Sequence, residues 1–153
     1  MSKLPLTIYP ALSLQKPSIK IDDISIVQNL YTDMIDTMEA EKGIGLAAPQ
    51  IGKNIRVAVI SKDSDKSLDD HLVIINPKIF SASRDTTECE EGCLSVPGVE
   101  EIVTRHKKIK LRYTDLNGDE QKIKATGLFA RVIQHEIDHL DGILIIDRAD
   151  EIS

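Results

Sequence analysis

Two histidines spaced four residues apart are the part of this sequence whose chemistry is most easily interpreted. His135 and His139 form a His-Glu-x-x-His pattern in which Glu136 is the second residue. In a helix of about 3.6 residues per turn both imidazoles point to the same side, so both can bind one metal ion. Glu136 lies a fraction of a turn away, where a carboxylate can act on a metal-bound water without being a ligand. The pattern therefore indicates a hydrolytic metal site.

The third protein ligand of this metal has to come from elsewhere in the chain. One large group of enzymes with this pattern takes it from a histidine three residues after a glycine; here Gly142 is present but Ile145 occupies the ligand position. Cys93 is the best upstream candidate, because a thiolate is a strong ligand and the neighbouring glycine and proline allow a loop to approach the helix. A Cys-His-His set leaves one coordination position open, as catalysis requires.

Two other interpretations use the same residues. If Cys89 also binds, two cysteines and two histidines close the coordination sphere of a structural zinc site. Glu136 and the long separation between Cys93 and His135 argue against this Cys2His2 module, although ligand counting alone does not reject it. In the third interpretation the histidines are ordinary core residues and the cysteines are small hydrophobic residues, which leaves the complete histidine pattern unexplained.

Length and composition favour one globular domain, which we expect to span residues 1–153. The net charge of −6 argues against binding to nucleic-acid backbones, and the basic run at residues 105–112 is interpreted as the solvated face of a strand. The apolar runs are too short to cross a membrane, and the first residues do not resemble an export signal. We expect a cytoplasmic protein, or an organellar one whose targeting segment lies outside this sequence.

Periodic patterns predict the elements that position the site. They indicate an α+β fold, with mostly antiparallel sheets packed around a central helix in the C-terminal half that carries both histidines. One amphipathic helix is predicted near the N terminus. The predicted segments are a helix from Asp22 to Gly43, strands at 55–60 and 72–75, an exposed loop at 61–70, a loop or irregular edge at 88–98, a hairpin at 107–125, the central helix from Thr126 to Asp141, and a final strand at 143–146.

The central helix is predicted to be apolar over most of its surface. Its polar residues are confined to a narrow sector, at Gln134, Asp138 and Asp141. A mostly buried helix must provide partners for two histidines and a glutamate, because an unpaired buried polar group costs about 1–3 kcal/mol. This requirement supports a metal site on the helix.

Three segments of the chain resemble the signature motifs of the peptide deformylase family, in order and at similar spacing. They are residues 43–50 (GIGLAAPQ), 91–95 (EGCLS) and 134–142 (QHEIDHLDG). The resemblance covers residues 5–148. It implies hydrolysis of the formyl group from the N-terminal formyl-methionine of nascent chains, with the ribosome as the place of encounter. A structural zinc module and a generic metallopeptidase with the same histidine pattern remain the alternatives.

The resemblance also implies a role for each matching residue. One divalent metal ion is expected, Fe²⁺ in cells, with Zn²⁺, Ni²⁺ or Co²⁺ as alternatives. Its implied ligands are Cys93, His135 and His139. Glu136 is expected to take a proton from the metal-bound water and to pass it to the departing amine. The oxyanion is expected to be held by the metal, the Gln50 side chain and the backbone N–H of Leu94.

Substrate contacts follow from the same resemblance. The peptide is expected to lie extended and to pair with the backbone of Ile44, Gly45 and Gly92. The implied lining of the methionine pocket is Ile44, Leu128 and Val132. Glu100 occupies a position where some members carry an arginine, so we expect a different charge preference among peptides. The chain has a short C terminus after Gly142, where many relatives add a helix, so stability or oligomeric state is expected to differ.

Overall fold

The structure, a computed structural model, describes residues 3–148. Within that range it contains seven strands, four α-helices and three short 3₁₀-helices, at Leu12–Gln15, Ala48–Ile51 and Lys62–Ser64. The strands are β1 (Gly45–Ala47), β2 (Val57–Ile60), β3 (Leu72–Ala82), β4 (Thr86–Cys93), β5 (Val96–His106), β6 (Lys108–Thr114) and β7 (Glu120–Thr126). The helices are α1 (Ser25–Gln28), α2 (Tyr31–Ala40), α3 (Gly127–Leu140) and α4 (Ile145–Arg148). None of the helices within residues 3–148 is long and apolar enough to span a bilayer.

A five-stranded antiparallel sheet forms the scaffold, in the order β1-β2-β3-β6-β7, and β4 and β5 form a separate two-stranded sheet. Helix α3 packs on one face of the large sheet, where Leu111 and Ile133 belong to the same buried cluster. Helix α2 packs on the opposite face, where Met34 joins Val59. The predicted α+β fold around a central histidine-bearing helix is confirmed.

Helix α2 covers only part of that second face. In the described part of the chain, the buried cluster beneath α2 contains residues of β1, β2 and β3 but none from strands β6 or β7. Strand β2 is therefore buried on both faces, whereas β6 alternates between buried and exposed residues. The outer face of β6 and β7 is left to solvent.

The N-terminal helix differs from its prediction because it is divided into α1 and α2. A turn at Asn29 and Leu30 separates them, and the Leu30 N–H bonds to the carbonyl of Val27, three residues back. Asparagine and β-branched residues are poor helix formers, which favours such a break. The buried positions follow the predicted period all the same, since Val27, Met34 and Met38 are fully buried.

Strand β3 continues beyond its predicted end at Asn76 and Pro77. Pro77 offers no N–H to the ladder, and the pairing with β6 shifts register there. At the same point the Asn76 side chain binds the N-terminal segment: its Oδ1 accepts from Ile21 N–H at 2.8 Å and its Nδ2 donates to Ile21 O at 2.7 Å. The sequence pattern does not show this contact.

Residues 88–98 are predicted as a loop or an irregular edge. The loop is wrong, because the segment belongs to the β4–β5 hairpin, with a turn at Leu94 and Ser95 and an irregular register at Gly92 and Cys93. The interpretation of the basic run is also wrong for Arg105, whose side chain is only 4% exposed. Charged residues occupy buried positions in this hairpin, and this hides the alternation by which strands are recognised.

The β6–β7 hairpin, by contrast, is confirmed, with regular pairing from Lys108 opposite Thr126 to Thr114 opposite Glu120. Helix α3 also begins and ends as predicted, between Thr126 and Gly142, although Gln134 and Asp138 in its predicted polar sector are buried.

The final predicted strand, at residues 143–146, is wrong because the chain forms the short helix α4. Leu144 stands at the position before the helix, and its N–H donates to the Asp147 carboxylate at 2.9 Å. An acidic residue three positions into a helix that reaches back in this way stabilises the helix start. This local contact outweighs the β-branched composition of the segment.

Candidate active site

Helix α3 places His135 and His139 side by side, as their four-residue spacing predicts. The ring centroids are 5.0 Å apart, and the rings meet at 63°. His139 is fully enclosed, whereas His135 borders an open cleft. Both imidazoles are thereby fixed on the same side of the helix.

The end of strand β4 brings Cys93 to the histidines. The register of the β4–β5 hairpin shifts between Gly92 and Cys93, just before the turn. Cys93 Sγ lies 3.3 Å from Nε2 of His139, and one ligand atom from each of the three residues lies within 4.8 Å of the others. A thiolate and two imidazoles at this separation fit one divalent transition-metal ion.

Cys89 lies apart from this group. It is exposed on β4, and its Sγ donates a weak hydrogen bond to the Glu90 carbonyl at 3.6 Å. The metal-binding group found within residues 3–148 consists of Cys93 and the two histidines, without Cys89. The geometry therefore does not close a Cys2His2 site.

Glu136 is buried beside the cleft, with only 3% of its surface exposed. Within the described residues its Oε1 has no hydrogen-bond partner. Burial raises the pKa of the Glu136 carboxyl to about 7, because the charged form loses hydration. A Cβ on Gly45 would stand only 2.6 Å from Glu136 Oε2, so the glycine allows β1 to approach the carboxylate.

Gln50 is held rigidly at the other side of the cleft. It lies in the buried helical turn Ala48–Ile51, and its Oε1 accepts from the N–H of Ala47 at 2.9 Å. Because the oxygen is occupied, the amide nitrogen points towards the hairpin, 3.3 Å from Ser95 Oγ and 3.8 Å from Cys93 Sγ. A fixed N–H donor beside the Cys93 sulfur is well placed to bind a developing negative charge.

His135 is oriented by a buried carboxylate that the sequence patterns do not indicate. Its Nδ1 donates to Glu91 Oε1 at 2.9 Å, which leaves Nε2 for the metal. Two arginines bind Glu91: Arg105 at 2.9 and 3.1 Å, and Arg131. Burial alone would raise the pKa of Glu91, but hydrogen bonds from His135 and Arg105 hold it well below its usual range.

The same network continues to the end of the described chain. Arg105 also bonds Asp138, and Arg148 donates two hydrogen bonds of 3.0 Å to the Asp138 carboxylate. The carboxylates of Glu91 and Asp138 and the guanidiniums of Arg105 and Arg131 are buried, and buried charges are stable only when each is paired, as here; Arg148 joins them from the surface. The sequence signal for this network is weak. The sequence pattern places Arg105 on a solvated strand face and Asp138 in the polar sector of α3, and it does not show that they meet.

The pKa values of the two histidines shift in opposite directions. Burial would lower the pKa of His135, but the Glu136 carboxylate and contacts with Cys93 and Glu91 raise it to about 10. Burial and the neighbouring His135 charge hold the pKa of His139 well below its usual range. A ligating imidazole is neutral, so metal binding by such a pair depends on pH.

A cleft of about 700 Å³ opens above the site, between β1, the β4–β5 hairpin and α3. Every remaining residue predicted to contact substrate lines it: Ile44, Gly45, Gly92, Leu94, Leu128 and Val132. Leu128 is half exposed, although it is a large apolar residue, and Val132 is buried. An open cleft with apolar walls beside a metal-binding group suits a short peptide with an apolar side chain.

Known proteins share both the sequence and the fold. The chain matches the polypeptide deformylase family over residues 3–153. It is 47% identical over 131 residues to the peptide deformylase of Picosynechococcus sp., a match that covers 86% of this chain and 69% of that protein. It is 48% identical over 132 residues to the peptide deformylase of Dictyoglomus thermophilum, with coverage of 86% and 81%.

Solved structures agree. Peptide deformylase from Thermotoga maritima superposes with a TM-score of 0.91 at 34% identity, covering 99% of this chain and 100% of that one. The Synechococcus elongatus enzyme in complex with actinonin gives 0.89 at 41% identity, covering 97% and 80%. Fold and site together define a metal-dependent hydrolase. The chain belongs to the peptide deformylase family, and its activity is the removal of the N-formyl group from nascent polypeptides.

Proposed function

We propose that this deformylase acts on formyl-methionyl N termini in the cytoplasm, close to the ribosome, as a single domain spanning residues 1–153. Its metal ligands are Cys93, His135 and His139. The observation that carries the proposal is the convergence of these three ligand atoms within 4.8 Å, next to the buried Glu136. Fe²⁺ is the ion we propose for the cell, although a Cys-His-His set also accepts Zn²⁺, Ni²⁺ and Co²⁺.

Glu136 is the proposed general base and then general acid. A bound divalent cation supplies a Lewis acid that polarises water and the formyl oxygen. Glu136 takes a proton from the attacking water and returns it to the departing amine, so the C–N bond breaks and formate and a free N terminus are released. The free Oε1 of Glu136, without a hydrogen-bond partner among the described residues, supports this role.

Gln50 and Leu94 are the proposed donors to the oxyanion. The negative charge that develops on the formyl oxygen is stabilised by donors that are already in place before the reaction. Ala47 fixes the Gln50 amide, and Leu94 follows Cys93 in the tight hairpin turn that lines the cleft. Both groups are supported by rigid local structure.

The peptide is proposed to add to the edge strand of the large sheet. Strand β1 is the edge of the large sheet, and Ile44, Gly45 and Gly92 line the cleft beside it. Backbone pairing at this edge recognises any sequence, as a general processing enzyme requires. The methionine side chain is proposed to contact Ile44, Leu128 and Val132, and the half-exposed Leu128 gains burial when it does.

The test is formate release from formyl-Met-Ala-Ser, measured on protein purified anaerobically with Fe²⁺ or Ni²⁺. We expect turnover by the wild type, and a loss of at least about a hundredfold for Glu136→Ala with its metal retained. Glu88→Ala is the matched control, because Glu88 is an exposed glutamate on β4. This control should keep both metal and activity.

Each alternative gives a different result. Fully metallated protein that releases no formate contradicts the proposal. A structural zinc module requires that Cys89→Ala loses metal or unfolds the chain, whereas Glu136→Ala is harmless. A generic metallopeptidase cuts an internal peptide bond of the same substrate and leaves the formyl group in place.

A further inference from the structure

The outer face of strands β3, β6 and β7 collects positive charge. We call it the basic face, and its residues are Lys78, Lys108, Lys110, Arg112, Lys122 and Lys124. Five of these residues are exposed, and the Arg112 side chain is 40% exposed. The opposite face of the same strands packs on α3 through apolar residues such as Leu111. The basic face therefore points away from the active-site helix.

The basic residues lie directly opposite one another. Lys110 pairs with Lys124, and Arg112 pairs with Lys122 across β6 and β7 and with Lys78 across β3. Like charges in directly opposed positions destabilise a sheet. The Lys110–Lys124 pair and the Arg112–Lys122 pair are two residues apart along the strands, a distance of about 7 Å. A regularly charged anionic polymer would relieve this repulsion.

Little negative charge offsets the basic face. Glu120 is the one acidic residue in the sequences of β3, β6 and β7, and it lies 3.2 Å from Arg112. Asp115 lies in the turn beyond the strand ends, where its carboxylate accepts from the backbone of Asn117 and Asp119. The whole chain has a net charge of −6, so the basic face is a local excess of positive charge on a protein that is negatively charged as a whole.

A depression extends the basic face at its edge. Its volume is about 520 Å³, and its basic lining residues are Lys20, Arg56, Lys78 and Arg112. Arg56 is held in position by the Leu140 carbonyl at 2.9 Å and by Asp141 at 3.0 Å. Concave basic surfaces concentrate anions more strongly than flat ones.

An exposed aromatic ring stands among these cations. Phe80 is 45% exposed, in the part of β3 where the pairing with β6 shifts register. The Lys122 Nζ lies 5.9 Å from its ring centroid. Aromatic rings on basic surfaces stack on unpaired bases, a use that lipid headgroups and acidic peptides do not offer.

We propose that the basic face binds the phosphate backbone of RNA and that Phe80 stacks on an unpaired base. The net charge and the sequence pattern argue against RNA binding. Neither shows that Lys78 lies beside the basic residues of β6 and β7, or that α2 leaves the outer face of these strands uncovered. The binding is separate from the deformylation chemistry, since none of the described residues that line the cleft belongs to β3, β6 or β7.

The test measures fluorescence anisotropy of a labelled RNA hairpin titrated with the metal-loaded full chain. Affinity should fall steeply between about 50 and about 200 mM salt, as for any phosphate contact. The double variant Lys110→Glu/Lys124→Glu should bind at least about tenfold more weakly, and its log–log salt slope should shrink by roughly two. Phe80→Ala should bind the hairpin about fivefold more weakly while binding a fully paired duplex unchanged.

Lys62→Glu/Lys66→Glu is the matched control, with the same change in net charge on two exposed lysines of the 61–70 loop. The control should bind RNA almost as well as the wild type, and all variants should release formate from a short peptide at the wild-type rate. Absence of RNA binding by the wild type at low salt overturns the proposal, as does equal weakening by the control. Tighter binding to phosphatidylglycerol vesicles than to RNA, with the same dependence on Lys110 and Lys124, assigns the face to membranes instead.

Discussion

The two hairpins β4–β5 and β6–β7 carry opposite charges and use them differently. The strands of β4–β5 contain five glutamates and one arginine, whereas those of β6–β7 contain five basic residues and one glutamate. In β4–β5 the buried charges Glu91 and Arg105 face α3 and orient a histidine. In β6–β7 the charges face solvent, and apolar residues face α3.

The difference shows that position relative to α3 decides what a charge does. A buried carboxylate has to be paired, so it fixes geometry and its loss is costly. An exposed charge contributes little to stability, which leaves it free to serve recognition. The same hairpin motif thus supplies a rigid support for the candidate active site on one side of the molecule and a charged surface on the other.

The largest expected effect compares one arginine from each hairpin. Arg105→Met removes a side chain that is 4% exposed and bonds both Glu91 and Asp138. We expect the free energy of unfolding to fall by about 3 kcal/mol, because two buried carboxylates lose a partner. Arg112→Met, which removes a 40% exposed partner of Glu120, should cost less than about 1 kcal/mol. Urea unfolding of the metal-loaded variants measures both, and equal losses would contradict the comparison.

The next effect concerns metal retention. Glu91→Gln weakens the hydrogen bond that orients His135, so we expect the metal to bind about 10- to 100-fold more weakly. Glu120→Gln is the control, because Glu120 is the one glutamate in the strands of the β6–β7 hairpin. It should leave the affinity for the metal unchanged. Competition with a chelator gives the affinities, and circular dichroism shows whether the fold persists. A folded Glu91→Gln protein with wild-type affinity would show that the carboxylate does not support the ligand.

A smaller effect, on the choice of peptide, is expected from two exposed glutamates of the β4–β5 hairpin. Glu90 and Glu100 both line the cleft, and a hydrogen bond with Glu100, together with its charge, raises the pKa of Glu90. We expect kcat/KM to be higher for formyl-Met-Ala-Lys than for formyl-Met-Ala-Glu, and Glu100→Gln to reduce this ratio about two- to fivefold. The ratio should also fall with added salt. If Glu88→Gln changes the ratio of the two kcat/KM values and Glu100→Gln does not, Glu100 does not set the preference.

The smallest effect has the opposite sign. Lys110→Glu places an acid directly opposite Lys124 and removes a like-charge pair, so it should stabilise the β6–β7 hairpin by about 0.2–1 kcal/mol in the absence of RNA. Thermal unfolding at low and at high salt measures the gain, which should shrink as salt screens the pair. Destabilisation at low salt would show that the opposed lysines do not repel.

The two hairpins also differ in how well the sequence predicts them. The β6–β7 hairpin and α3 are predictable because one side of each is apolar in a regular period. The β4–β5 hairpin is not, because Glu91 and Arg105 stand where the period calls for apolar residues and are paired only through the tertiary structure. Gln134 and Asp138 on α3 are misplaced for the same reason.

The structure brings together the three residues that the sequence predicts as metal ligands, whereas the residues that support them are missed. The spacing on one helix and a cysteine in a glycine-rich segment suffice to bring Cys93, His135 and His139 together. The residues that hold them, Glu91, Arg105 and Arg131, have no local pattern, since each finds its partner on another element. The basic face is missed because its residues come from three strands and because its exposure depends on how much of the sheet α2 covers.

The distance along the chain between the partners of the site has a consequence for folding order. The β6–β7 hairpin closes a turn of a few residues, whereas Cys93 and His139 are 46 residues apart and Arg105 and Asp138 are 33 apart. Contacts between distant residues form late because the chain must first close long loops. We therefore expect the metal site to assemble last, so that a chain emerging during synthesis captures its ion only when the hairpin β4–β5 has docked on α3.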